Sequence, residues 1–490
     1  MNKYNQNLEK NLANFVPLTP LSFLERSKDI YPNYEALIYE TKSYTWLEVY
    51  KRCTKFASAL EKIGITEGDT VSVMACNTPE IFEAHYSVPM TGAILNTINI
   101  RLDAKTVSYI LNHAEAKVLI VDRQFHAVVK KALETVDKKP IIIDIQDDFA
   151  DQSLLQKIGE REYEEFLSSG DDNYKWNMPK DEWQAISLSY TSGTTGNPKG
   201  VVYHHRGSYL MSTGSAVAWN MPNRLNFLTI VPMFHCNGWG YPWTIPMLNG
   251  KTICLRNIDV KKIFELIEKH KITHFGGAPI VLNMITGASK SEQKKLNHKV
   301  NVLTAGAPPP SIIFKKMEAL GFEVMHVYGL TETYGHITQC SWNEEWNGFD
   351  EDKKNEIKAR QGVRYPNTEQ VSVMDPETMK FEVEVDGLVT SGGLGGLAIL
   401  HQALQRVCDI SKAYPDKAIS GIGGIRGFRE AFNFIANGAG NLQICTAAME
   451  EKGSGGVGVA LIKELTEDLN EFMERKGYNS IEELRGVARD

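Results

Sequence analysis

The sequence predicts an α/β fold with mostly parallel sheets, followed by a carboxyl-terminal segment of different character. Short apolar runs at residues 71–74, 118–121, 140–143 and 302–305 have the continuous hydrophobicity of strands buried on both faces. Between them lie segments with apolar residues at helical spacing, such as 260–269. Strands and helices in alternation imply parallel strands covered on both sides by helices. The composition then shifts: residues 341–382 are polar and mixed in sign, and from Gly387 the chain is glycine-rich. A boundary near residue 382 divides a body, 1–382, from a tail, 383–490.

The elements follow in order. A helix is expected over residues 21–26, announced by Thr19-Pro20, a capping hydroxyl followed by proline at the first helical position. A second, over 45–63, puts Trp46, Val49, Phe56, Leu60 and Ile63 on one side. Asp69-Thr70 leads into the strand at 71–74, and residues 185–188 read as a strand entering a polar loop. In the tail, helical patterns at 403–413 and 428–437 alternate with short strands at 417–420 and 442–445.

A chain of 490 residues implies two or three structural units. With 53 basic against 60 acidic residues, the net charge of -7 gives no basis for nucleic-acid binding. Seven scattered cysteines without a C-x-x-C pair argue against a zinc or iron–sulfur site and fit a reducing compartment. Residues 1–17 hold no apolar signal core, and no stretch reaches the roughly 18 apolar residues of a transmembrane helix. The expected location is the cytoplasm.

The most informative stretch is Ser189-Tyr190-Thr191-Ser192-Gly193-Thr194-Thr195-Gly196-Asn197-Pro198-Lys199-Gly200. Its glycines free the backbone to point N–H groups inward, its hydroxyls add donors for phosphate oxygens, and Lys199 adds charge. Such clusters usually mark turns, but hydroxyls, spaced glycines and a lysine in one loop exceed that ordinary pattern. It is not a Walker A loop, since no G-x-x-x-x-G-K-[ST] spacing fits.

Residues 190–200 resemble the signature of the adenylate-forming ligases. Three downstream segments agree in the family's order: Val231-Pro232-Met233-Phe234-His235-Cys236-Asn237-Gly238-Trp239, Ala305-Gly306-Ala307-Pro308, and Val327-Tyr328-Gly329-Leu330-Thr331-Glu332-Thr333. The wording around His235 and at Arg360-Gln361-Gly362-Val363-Arg364-Tyr365 is most similar to short- and medium-chain fatty acyl-CoA synthetases, and the similarity runs from about residue 16 to residue 380. The resemblance implies an α/β ligase body that binds ATP, Mg²⁺, a small carboxylic acid and coenzyme A. Thr191, Ser192, Gly193, Thr194, Thr195, Gly196 and Lys199 would then cradle phosphates. Gly306, Ala307, Pro308, Tyr328 and Gly329 would surround the nucleotide, with Tyr328 either stacked on adenine or simply core. Thr331 would donate to the α-phosphate and Glu332 would hold Mg²⁺ through a hard oxygen. His235 is either a gate beside the acyl site or a buried histidine satisfied by backbone groups. His204 and His205 are expected to be structural.

After Met379 the pattern stops. No Thr-Gly-Asp triplet and no Arg-x-Lys-Asp hinge follow, so the family's mobile domain and its lysine are not recognisable. Instead Ser420-Gly421-Ile422-Gly423-Gly424-Ile425, Phe434 to Gly440, and Gln443-Ile444-Cys445-Thr446-Ala447 resemble the end of a flavin-binding (β/α) barrel of the dihydroorotate and dihydropyrimidine dehydrogenase type. In that likeness Gly423, Gly424, Cys445 and Thr446 would be the remnant of an FMN phosphate site. A partial barrel leaves strand edges unpaired. The expectation is a fusion of two incomplete genes, or an assembly error, with impaired ligase activity. The alternatives are a two-unit protein whose tail docks on the body, and a flavin oxidoreductase fragment.

Overall fold

The computed structural model describes residues 6–191, 197–369, 400–415, 427–443 and 461–488, with residues 4, 371, 384–385, 388–389, 417, 419–423 and 425 beside them. The chain forms two compact units, one of residues 1–191 and 199–371, the other of 192–198 and 372–490.

The larger unit contains two sheets. One has seven strands in the order Arg161–Glu162, Ile141–Ile145, Ala116–Asp122, Thr70–Met74, Ile94–Thr97, Ala185–Thr191 and Lys199–His204. All neighbours in it are parallel except the last pair. The other has nine, in the order Val363–Arg364, Gly335–Gln339, Phe322–Leu330, Val300–Thr304, His274–Gly277, Asn226–Thr229, Lys251–Cys254, Glu35–Tyr39 and Lys42–Thr45. Its centre is parallel and both edges turn antiparallel. The predicted buried strands are present, each somewhat longer or shifted by a residue. Every residue of Thr70–Met74 is buried, as the unbroken apolar run demands.

The helices follow their sequence signals. Trp46–Lys62 begins with a capping box in which Thr45 accepts from the Glu48 N–H and the Glu48 carboxylate accepts from the Thr45 N–H. Its Trp46, Val49, Phe56 and Leu60 are fully buried, which is the predicted face. The first helix is Leu21–Ile30, one turn longer than expected, and the Thr19 hydroxyl accepts from the Leu21 N–H at 3.2 Å.

Two buried charge clusters brace the unit. Arg256 lies 2.7 Å from Asp122 and 2.6 Å from Asp147. Arg52 lies 2.5 Å from Glu83, which also accepts from the Tyr163 hydroxyl at 2.8 Å. Such groups are tolerated inside a protein because each is paired and hydrogen-bonded.

In the smaller unit, Leu400–Ala413 and Phe428–Ala436 are helices, and Ser420–Ile422 pairs in parallel with Asn441–Gln443. The strand expected at 417–420 therefore begins at its last residue, because Lys417 is still in a turn, its N–H donating to the Tyr414 carbonyl. Val407, Ile419, Ala431 and Phe434 form its small core. Glu384–Val385 and Leu388–Val389 pair antiparallel.

Candidate functional site

In an open α/β sheet, ligands bind beyond the carboxyl ends of the strands, where loops diverge and backbone groups are free. Val300–Thr304 and Phe322–Leu330 are parallel neighbours, with Thr304 opposite His326. The chain therefore leaves the sheet at Gly306 just beside Tyr328. Gly306 has φ +93°, a left-handed conformation suited to glycine, and a Cβ there would meet nothing within 4 Å. Ala307 and Pro308 continue this open turn, Pro308 exposed. Tyr328 is 36% exposed, so its ring is not core and is free to carry a flat ligand.

Gly329 makes the next turn possible. A Cβ at that position would lie 1.7 Å from the Gly335 carbonyl oxygen, so no other residue lets the hairpin close. The Thr331–Thr333 turn is braced from both sides. The Thr333 hydroxyl accepts from the Leu330 N–H at 2.8 Å, and the Tyr203 hydroxyl donates to the Thr331 carbonyl at 2.7 Å. Tyr203 in turn stacks on Tyr334 at 4.3 Å. Glu332 projects from this turn, exposed, and among the described residues no lysine or arginine pairs with it. A braced, unpaired carboxylate fits a hard cation held jointly with phosphate oxygens.

The segment at 231–239 is clamped by residues that sequence reading missed. Asn77, just past the Thr70–Met74 strand, donates to the Thr229 and Val231 carbonyls at 2.9 and 3.1 Å and accepts from the Met233 N–H at 2.8 Å. The Thr97 hydroxyl donates to the Phe234 carbonyl at 3.0 Å. The chain then runs through Cys236, Asn237, Gly238, Trp239 and Gly240 with φ of +43°, +44°, +58°, +56° and +74°. A run of left-handed residues costs about 1–2 kcal/mol at each non-glycine position. Surrounding contacts fix it. Asn237 accepts from the Ser187 and Ser189 hydroxyls at 2.8 and 3.3 Å. The Cys236 thiol sits 2.9 Å from the Thr331 hydroxyl, and Trp239 lies on Gly276, whose Cβ would be 3.0 Å from the indole. One strained turn thus ties together the 185–191, 274–277 and 331–333 segments, and strain of this kind concentrates at functional sites.

His235 is exposed, and burial of its surroundings together with the nearby Arg101 charge pulls its pKa down. Its ring bonds no backbone group among the described residues, and its Nε2 lies 3.9 Å from the Cys236 thiol. The reading of a buried, backbone-satisfied histidine is therefore set aside. His204 and His205 are structural: His204 accepts from the Gly207 N–H at the start of His205–Ala218, and His205 bonds Thr19 at 2.8 Å.

Thr191 and Lys199 face each other across the antiparallel pair formed by Ala185–Thr191 and Lys199–His204, Lys199 exposed. Ser192, Gly193, Thr194, Thr195 and Gly196 lie outside the described residues. In the smaller unit Gly423 follows the Ser420–Ile422 strand with φ +114°, whereas Gly424, Cys445 and Thr446 lie outside the described residues. A cleft of about 940 Å³ opens near the amino ends of the nine-stranded sheet, beside Trp219, His274 and Trp342. Its lysines are already paired, Lys354 with Glu351 at 2.9 Å and Lys358 and Lys299 with Glu318 and Glu323, so it offers no uncompensated charge to a ligand.

Residues 24–395 match the family of AMP-binding enzymes. The chain belongs to that family. It is 45% identical over 392 residues to a peroxisomal acetate/butyrate–CoA ligase of Arabidopsis thaliana, covering 78% of this chain and 68% of the relative. An acetate–CoA ligase of Humulus lupulus is 46% identical over 392 residues, covering 78% and 69%. A solved Mycobacterium tuberculosis fatty acyl CoA synthetase superposes with a TM-score of 0.62 at 23% identity over 76% of this chain and 67% of that one, which shows the fold. The body of this AMP-binding enzyme thus has the α/β adenylate-forming ligase fold with mostly parallel sheets. A second family, dihydroorotate dehydrogenase, matches residues 349–473, overlapping the end of the first match.

Proposed function

We propose that this chain activates a short- or medium-chain carboxylic acid with ATP, giving an acyl-adenylate and pyrophosphate, and passes the acyl group to coenzyme A. The observation that carries the reading is the convergence of the Gly306 turn, Tyr328 and the braced Thr331-Glu332 turn with the clamped 231–240 segment. Relatives named for acetate and butyrate ligation support the size of the acid. In this reading adenine lies against Tyr328 between Gly306 and Pro308, and Gly329 keeps that wall thin. Thr191 to Gly196 and Lys199 hold the phosphates, and Thr331 donates to the α-phosphate once its hydroxyl turns from Cys236. Glu332 holds Mg²⁺, and His235 flanks the acid's entry. The charge that develops as pyrophosphate leaves needs electrostatic compensation.

The residues after Met379 carry no recognisable counterpart of the family's mobile domain, so this chain is proposed to work slowly. The proposed division is a ligase body of 1–382 and a tail of 383–490. Among the described residues no two cysteines form a disulfide, in keeping with a reducing compartment such as the cytoplasm, and no described helix is long and apolar enough to cross a membrane. The test is acid-dependent pyrophosphate release by the purified chain with ATP and Mg²⁺. Release that is absent with acetate, butyrate and hexanoate alike would sink the reading.

The dihydroorotate dehydrogenase match favours a second reading for the tail alone, a remnant FMN phosphate site at Gly423, Gly424, Cys445 and Thr446. Flavin absorbance in the purified protein supports it, and a colourless protein that takes up no added FMN rejects it.

A further inference from the structure

His336 has a place that the proposed chemistry leaves unexplained. It follows Gly335 in the Gly335–Gln339 strand, whose pairing with Phe322–Leu330 runs Gln339 to Val327, Thr338 to Tyr328, and then His336 to Gly329. Ile337 is therefore an extra residue. In a regular strand side chains alternate, so His336 would share a face with Thr338. The extra residue resets the alternation and turns His336 to the face of Val327 and Gln339. On that face Val327 packs in one cluster with Trp239, Cys236 and Val231, the residues of the proposed acid segment.

The ring of His336 meets Trp239 edge to face at 4.7 Å and is 5% exposed. Burial pushes its pKa down to about 3, so at neutral pH it is an uncharged imidazole with one N–H donor and one bare nitrogen acceptor. Neither nitrogen has a hydrogen-bond partner. A second such group belongs to the same turn: the amide nitrogen of Asn237, a residue with no exposed surface, also donates to nothing, although its oxygen holds two serines. A buried donor or acceptor left without a partner is costly, and a hydrocarbon chain beside it does nothing to relieve that cost. A phenylalanine would fill the same space without the penalty, so the bulge has set a second unpartnered hydrogen-bonding group beside that of Asn237 on a wall built largely from the apolar Val231, Val327 and Trp239.

We propose that His336 is a specificity-determining residue that selects a carboxylic acid bearing a hydroxyl group on its chain. A hydroxyl both donates and accepts, so it can pair with either nitrogen of the neutral ring. The inference rests on the acid-activating reading and deepens it by naming the substrate class. Sites built to bond a polar group discriminate strongly against the analogue that lacks it, whereas apolar sites discriminate weakly between chains of similar size.

The test uses the full chain and three non-hydrolysable adenylate mimics, the sulfamoyl-adenosine amides of butyrate, 2-hydroxybutyrate and 3-hydroxybutyrate, titrated by calorimetry, with AMP as reference. One hydroxylated mimic is expected to bind about tenfold or more tightly than the butyrate mimic. His336→Phe, which keeps a ring against Trp239 and removes both nitrogens, is expected to bring that ratio close to one. His336→Gln, which restores a donor and an acceptor, is expected to recover part of it. Equal binding of all three mimics by the native chain overturns the inference, as does a preference that survives in folded His336→Phe. Should His336→Phe not fold, the native ratio and His336→Gln decide. AMP binding with no discrimination among the mimics sinks the inference alone. Failure to bind AMP and every mimic sinks the acid-activating reading and the inference with it.

Discussion

Asn77 bridges the two sheets of the ligase body, and removing it tests the proposed acid segment directly. Its side chain donates to two carbonyls and accepts from one N–H, all buried. Asn77→Ala deletes three hydrogen bonds, each with a net contribution of about 1 kcal/mol, and leaves the Met233 N–H without a partner. The expected loss is about 3–5 kcal/mol. Against a total stability of about 5–15 kcal/mol, the variant should still fold at low temperature. The loss should fall unevenly on function. The 231–240 turn holds its left-handed conformation only because its surroundings impose it, so loosening Val231 and Met233 should release that strain and blur the acid pocket. The Gly306 turn and Tyr328 make no contact with Asn77 in the hydrogen-bond network and should keep their geometry. Urea unfolding measures the stability change, and calorimetry with AMP and a butyryl-adenylate mimic separates the two halves of the site. AMP affinity should be preserved within about threefold while mimic affinity drops at least about tenfold. A stability loss under about 1 kcal/mol, or mimic binding that follows AMP binding, would refute the idea that this clamp shapes the acid site.

Other outcomes follow from the same geometry. Glu332→Gln removes a charge but little volume, so Mg²⁺-dependent adenylate formation should fall at least about a hundredfold while urea stability stays within about 0.5 kcal/mol; an unchanged rate would reduce Glu332 to a surface acid. Gly329→Ala forces a methyl against the Gly335 carbonyl, and the expected result is a loss of several kcal/mol together with nucleotide binding, checked by thermal unfolding with and without AMP. His85, His205, His274 and His336 are buried and held neutral, with burial lowering their pKa to about 4, 4, 4 and 3. Each protonates more readily when unfolded, so its stabilising contribution is complete above about pH 6.5 and is lost as the pH falls toward 4. At pH 5 each should have forfeited about 2 kcal/mol, and His336→Phe should flatten the pH–stability curve by about that amount. Replacing residues 383–490 with the mobile domain of a short- or medium-chain synthetase should raise adenylate formation at least about a hundredfold; full thioester formation by the unaltered chain would overturn the proposed slow turnover.

Much of this was legible in the sequence because the deciding signals are local. Unbroken apolar runs made the central strands readable, and apolar residues at helical spacing from Trp46 to Ile63 marked the helix that the structure starts at Trp46. The segments at Gly306 and at Tyr-Gly-Leu-Thr-Glu were readable through their likeness to the ligase family's motifs. The clamps were not legible for the opposite reason. Asn77 and Met233 are distant in sequence, and an asparagine after a strand reads as an ordinary turn residue. His336 sat in a run whose alternation pointed it the other way, and only the inserted Ile337 reverses it. The tail strand begins later than its strand-like composition suggests, because the turn before it is still closing at Lys417. Tyr328, left between core and platform, resolved as exposed because the strand outlasts the sheet's cover at its carboxyl end.

The left-handed turn at Cys236–Gly240 also limits how the substrate range of the proposed acid site can be changed. Proline is barred from those five positions by its fixed negative φ, and β-branched residues would meet severe clashes there. Mutational libraries aimed at the proposed acid pocket through this turn would spend most of their members on chains that fail to fold. The permissive positions are its neighbours in space. Val231 shares the Trp239 cluster and His336 meets its ring, both from backbone that every side chain except proline can adopt, whereas Gly276 is closed to larger residues by the indole 3.0 Å from where its Cβ would lie. Natural drift toward larger or more polar acids is expected to accumulate at Val231 and His336, leaving the turn itself almost unchanged between lineages that use different substrates.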